Sequence, residues 1–131
     1  MKIITLALVC AACTVIFFSA QGCSSGNETL INTAHLDHLY EEGMIEDQKV
    51  GYINIYSEYP EYQHTPAAGE GIACVDDVAR AALFYMGYFR LRPDENILSK
   101  TRNLLRFILA MQADNGYFFN FISDDLTINK T

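Results

Sequence analysis

Positive charge is scarce in this sequence: 9 Lys and Arg stand against 16 Asp and Glu, a formal net charge of −7 over 131 residues. A polyphosphate would meet repulsion over much of such a surface, and no basic patch with interleaved aromatics offsets it, which excludes nucleic acid as a partner. Glycine and proline are few, 8 and 3, which excludes collagen-like and linker-like chains. Charged residues make up only 19% while half the residues are apolar, so the chain can bury a core and is not a disordered one. The length excludes more than one small domain. The first 22 residues differ in composition from everything after them: Lys2 is their single charge, and residues 3–18 are apolar apart from Thr5 and Thr14. That run is shorter than the ~20 residues that span a bilayer and has the make-up of an export signal.

The signal ends in Ser19, Ala20, Gln21, Gly22 and Cys23, followed by Ser24, Ser25 and Gly26. Gly22 and Cys23 give it a resemblance to the lipobox of bacterial lipoproteins. The resemblance implies a signal peptide over residues 1–22, palmitate-type acylation of Cys23 as the new N-terminus, and a tether over residues 23–29. The protein would then sit in the bacterial cell envelope, anchored to a membrane; plain secretion or a periplasmic location is the alternative. Two or more acyl chains hold stably where one does not, because each buried methylene contributes about 0.8 kcal/mol. Cys10 and Cys13 leave with the signal, Cys74 is the only thiol left, and no intrachain disulfide forms. Cys74 lies in the apolar stretch from Ile72 to Val78, where a cysteine is most often a small buried hydrophobe.

The charge is uneven. Between Glu28 and Asp77 eleven acids face Lys49 alone, whereas Val78 to Thr131 carries five acids and seven bases. A solvated acidic face is the favoured account over an acidic binding groove.

Leu30, Ile31, Ala34, Leu36, Leu39 and Tyr40 form an apolar stripe that predicts a helix to Glu42, capped by Asn27 or Thr29 and stopped at Gly43. His35 and His38 share a face of it at metal-ligand spacing, but no third ligand is marked nearby, and solvated helix histidines are the better reading. Aromatic and β-branched residues from Val50 to Tyr62 predict a short strand and then a loop. Tyr52, Tyr56, Tyr59 and Tyr62 interleave there with Glu58 and Glu61, the mixture of flat apolar faces and carboxylates that a sugar-binding surface needs. Packing under a loop is the commoner role for such tyrosines. The clearest helix spans Cys74 to Arg90, with Val75, Val78, Ala79, Ala82, Leu83, Met86 and Phe89 as its core stripe. Pro93 and Asp94 open a second long helix, on which Ile97, Thr101, Leu104, Leu105, Ile108, Leu109 and Gln112 keep the period to about Ala113, and Asn115-Gly116 stops it. The two form an antiparallel helical hairpin. Tyr117 to Ile122 is extended and ends in the turn Ser123-Asp124-Asp125.

Asp76 and Asp77 stand in the first turn of the clearest helix, with Arg80 one turn on. Spacing alone favours a structural role: first-turn carboxylates complement the helix macrodipole, worth about 0.3–1 kcal/mol, and pair with Arg80 at i+4 and i+3. Neighbouring helical side chains diverge by roughly 100°, so the two do not form a facing acid and base. Arg80 and the helix N-terminus favour ionised carboxylates, which suits a nucleophile or base.

The string GEGIACVDDVARAALFYM, with YSEYP before it and MQADNGYFFNF after it, resembles the opening hairpins of six-hairpin glycosidase-like proteins over residues 50–122. The resemblance implies a mainly α fold, a partial (α/α)6 toroid of helical hairpins over residues 30–131, truncated after about three helices, because a full toroid needs roughly 200 residues. It implies hydrolysis of glycosidic bonds as the parent activity and an oligosaccharide or polysaccharide as partner. Asp76 and Asp77 become the candidate catalytic residues, and Tyr56, Glu58, Tyr59, Glu70 and Arg80 the candidate substrate contacts. No cofactor or metal is implied. A second carboxylate would come from Glu58, Glu70, Asp124 or elsewhere. Lyase or epimerase chemistry would use the same fold. The rival reading is a non-catalytic lipoprotein that binds glycan or pairs with another subunit, and a partial toroid would self-associate through its exposed apolar helix faces. A terpene-cyclase-like toroid is a weaker third reading.

Overall fold

The computed structural model describes residues 30–130, and the compact unit begins at Ile31. The signal segment, the tether and Cys23 lie outside the described residues. Helix α1 (Ala34–Leu39) leads directly into β1 (Tyr40–Ile45) and β2 (Gln48–Ile53), followed by a small hairpin of β3 (Tyr56–Glu58) and β4 (Gln63–Thr65). Strand β5 (Ala73–Cys74) hands the chain to α2 (Val75–Leu91), α3 (Glu95–Ala110) returns beside it, and β6 (Phe121–Ile122) and β7 (Ile128–Asn129) close the fold. Among the described residues 39% are helical and 28% extended, in three helices and three antiparallel sheets.

This α+β architecture overturns the mainly α, partial (α/α)6 toroid implied by the resemblance. The expected helix to Glu42 ends at Leu39, and residues 40–45 extend and pair with 48–53, Tyr40 opposite Ile53 and Ile45 opposite Gln48. Two residues, Glu46 and Asp47, make the turn, Glu46 taking a left-handed φ of 52°. Val50, Tyr52 and Ile53 of β2 are buried, and β2 packs chiefly against α3.

Both long helices form, α2 within one residue of its expected bounds and α3 ending at Ala110, three residues before the expected Ala113. Asp94 caps α3, its carboxylate accepting from the amides of Asn96 at 2.8 Å and Ile97 at 3.4 Å. The stripe of α2, however, is rotated. Val78, Ala81, Ala82, Tyr85 and Tyr88 are buried, whereas Leu83 and Met86 are exposed. On α3 the buried positions are Thr101, Asn103, Leu104 and Phe107, and Leu105 and Leu109 face outward. Tyr85 takes an inward place with its hydroxyl satisfied: it donates to the partly exposed Asp37 Oδ1 at 2.6 Å, beside Lys100 Nζ at 2.5 Å on the same oxygen. This bond ties α1 to both long helices. Phe107, Leu104, Met111, Ile122, Val50 and Val78 complete a fully buried core.

Candidate functional site

Strand β5 aims the start of α2. Ala73 pairs with Ile122 and Cys74 with Phe121, and the Ile72 amide donates to the Ile122 carbonyl at 2.9 Å. Gly71 makes this approach possible: its φ is 139°, and a Cβ there would lie 1.9 Å from the Ile122 carbonyl oxygen. The first free amide of α2, that of Val75, donates to the Asn120 carbonyl at 2.8 Å, which satisfies one of the orphan donors of a helix start.

Asp76 and Asp77 thus project from a fixed first turn. Arg80 reaches Asp76 Oδ2 at 2.7 Å and Asp77 Oδ1 at 3.2 Å. The Cys74 thiol shares its proton with Asp76 Oδ1 at 2.8 Å and Asp77 Oδ2 at 3.0 Å. The carboxylates diverge along the helix, yet both turn back to the same two partners. The Asp76 carboxyl is held below its usual range, first by the Cys74 hydrogen bond and then by the Arg80 charge. Cys74 is pushed up to about 12 by burial and by the two carboxylates beside it, which leaves a protonated and unreactive thiol.

Sγ of Cys74 and one oxygen of each aspartate lie within 4.8 Å of one another. A cation there would compete with the Arg80 guanidinium and oppose the positive end of α2, and Cys74 would first have to lose its proton. The trio works as a fastener of the helix start. Asp77 and Arg80 also border a cleft of about 420 Å³ whose floor is Leu36, Leu39, Ile53 and Phe84. Asp77 is the one carboxylate lining it among the described residues. An apolar floor with one anion and one cation at the rim suits a ligand that stacks and hydrogen-bonds.

The other expected contacts fall in two places. Tyr56 and Tyr59, with Tyr62, stand on the β3–β4 hairpin and are 52%, 82% and 51% exposed. Packing describes only Tyr52, which is buried and donates to Glu41 Oε2 at 2.8 Å. Tyr59 and Tyr62 meet edge to face, centroids 6.0 Å apart. Glu58 accepts from Thr65 at 3.3 Å on the same hairpin. Glu70 lies elsewhere, in an open cleft of about 520 Å³ with Ser123, Asp124, Asp125 and Thr127. The fold therefore joins Asp76, Asp77, Arg80 and Cys74 and joins Tyr56, Glu58 and Tyr59, but sets Glu70 and Asp124 in a cleft of their own.

One cluster escapes sequence reasoning. His64 on β4 meets Glu41 on β1, Nδ1 to Oε1 at 2.9 Å, and its ring lies 4.7 Å from that of His38 on α1. His38 Nε2 is 3.0 Å from Ser57 Oγ and 3.0 Å from the Tyr62 carbonyl. Burial raises the Glu41 carboxyl, but hydrogen bonds from Tyr52, Asn54 and His64 outweigh it and leave the carboxyl below its usual range. The i, i+3 pair of His35 and His38 was the only local signal, since the partners of His38 and His64 are about twenty residues away. No family model and no curated protein matches this sequence.

Proposed function

We propose that the protein binds oligosaccharide or polysaccharide through the tyrosine hairpin, at the bacterial cell envelope. The observation that carries this reading is the exposure of Tyr56, Tyr59 and Tyr62 on one short hairpin, while Tyr52, Tyr85 and Tyr88 are buried. Tyrosines left in water next to Glu58 and Glu61 offer stacking faces and hydrogen-bond acceptors for sugar hydroxyls. The resemblance of GEGIACVDDVARAALFYM to six-hairpin glycosidase-like proteins points to the same class of ligand. Titration calorimetry against a panel of neutral and acidic oligosaccharides tests it. A ligand from the panel should bind the parent chain and lose about tenfold in affinity or more in Tyr56→Ala/Tyr59→Ala, since two aromatic contacts are removed. No binding across the panel, or equal binding by the variant, refutes the reading.

A second reading, hydrolysis of glycosidic bonds, is favoured by the position of Asp77 and Arg80 on the rim of the 420 Å³ cleft. Such chemistry uses two carboxyl groups roughly 5–10 Å apart across the bond, and the cleft offers Asp77 alone among the described residues. Binding is therefore placed first. Asp76→Ala/Asp77→Ala separates the two: turnover lost with glycan affinity kept makes the pair catalytic, and unchanged turnover removes it. Anchoring through Cys23 belongs to the same proposal, and Cys23→Ser should move the protein from the membrane fraction to the soluble one.

A further inference from the structure

We infer that His38 and His64 form a binding site for a divalent transition-metal ion of the zinc class. Hydrogen-bond partners fix both tautomers. Glu41 is an acceptor only, so His64 Nδ1 at 2.9 Å carries the hydrogen and Nε2 keeps its lone pair. That Nε2 is buried and has no hydrogen-bond partner. His38 Nε2 lies 3.0 Å from the Tyr62 carbonyl and 3.0 Å from Ser57 Oγ, whose own hydrogen goes to that carbonyl at 2.9 Å, so Nε2 donates and Nδ1 keeps a lone pair.

Each ring is thus oriented from behind by an oxygen, with its other nitrogen left without a hydrogen-bond partner, as in metal-binding histidines. Glu41 is steadied in turn by the Tyr52 hydroxyl at 2.8 Å. An ion about 2.0–2.1 Å from each nitrogen, at a ligand angle between tetrahedral and square, sets imidazole centroids roughly 4.5–5.2 Å apart. The observed separation is 4.7 Å. The acidic stretch from Glu28 to Asp77, with eleven acids against Lys49 alone, adds a favourable field. Imidazole donors select the borderline ions, Zn²⁺, Cu²⁺, Ni²⁺ and Co²⁺, over Mg²⁺ and Ca²⁺.

Zn²⁺ alone, titrated into the full chain by calorimetry, is the test, with ¹⁵N-edited NMR of the histidine rings as a second readout independent of folding losses. One ion per chain is expected, with shifts at His64 Nε2 and His38 Nδ1. Affinity should fall by about tenfold or more in Glu41→Gln, a positioning change, and further in His38→Ala, while Cys74→Ala leaves it unchanged. Absence of binding, or binding that survives His38→Ala and His64→Ala and is lost in Cys74→Ala, overturns the assignment.

Discussion

At the scale of single residues, local polar partners set the chemistry. Cys74 is 8% exposed and its thiol is pushed up to about 12, so at pH 8 it should resist iodoacetamide in the folded protein and react on unfolding. Peptide mass spectrometry that isolates Cys74 from the other cysteines measures this, and fast labelling of the folded chain would contradict it. Asp37 gives a pH signature. Burial raises its carboxyl, but hydrogen bonds from Lys100, Thr33 and Tyr85 and the Lys100 charge more than offset this, and the pKa falls below the usual 3.8. A depressed carboxylate contributes stability that is complete above its unfolded value and lost as pH falls through the folded one. Urea stability should therefore drop below about pH 4 more steeply in the parent than in Asp37→Asn, and parallel curves would dismiss the role. Gly71 is the third such residue. Gly71→Ala meets both a positive φ and a carbonyl oxygen at 1.9 Å, and should destabilise the fold by about 3 kcal/mol in chemical denaturation.

At the scale of elements, the helices show how much local pattern settles. Cys74 to Arg90 and the Asp94 cap were legible because helix bounds depend on neighbours within four residues and on capping chemistry. The inward face of α2 was not. That helix has apolar or aromatic side chains on two adjoining faces, and the choice fell to Tyr85 because Asp37, 48 residues away, accepts its hydroxyl. The β1–β2 hairpin was missed for a different reason: its turn, Glu46-Asp47, lacks the glycine or asparagine that announces a two-residue turn. Outward and inward positions of α3 should respond very differently to substitution. Phe107→Ala, at a fully buried site, should cost about 3–5 kcal/mol. Leu109→Gln, at a site 65% exposed, should stay within about 0.5 kcal/mol. Equal losses would mean that the outer face of α3 is covered.

At the scale of the whole molecule, the β1–β2 hairpin packs against α3. The long helices then carry the core, and the β3–β4 hairpin is held to it through His38 and His64. Native-state hydrogen exchange should follow that division. Amides around Leu104 and Phe107 should be the slowest, and those of Tyr56 to Thr65 should open well before global unfolding, since their strands are three residues long and their tyrosines face water. Uniform protection would show that the hairpin belongs to the cooperative core. Among the described residues no helix is long and apolar enough to cross a membrane.

The sequence by itself determined what depends on short range: two long helices and the Asp94 cap, the Arg80 pairing with Asp76 and Asp77, a buried Cys74, and an acidic first half. Tertiary structure alone decided what depends on distant partners. It turned residues 40–45 from helix to strand, left Tyr56, Tyr59 and Tyr62 in water while burying Tyr52, and separated Glu70 and Asp124 from the cleft of Asp77. It also brought His64 to His38 and Glu41. The physical reason is the same in each case: a side chain's partner across the core is chosen by the burial and hydrogen bonding of both at once, and periodicity along the chain records only one of the two.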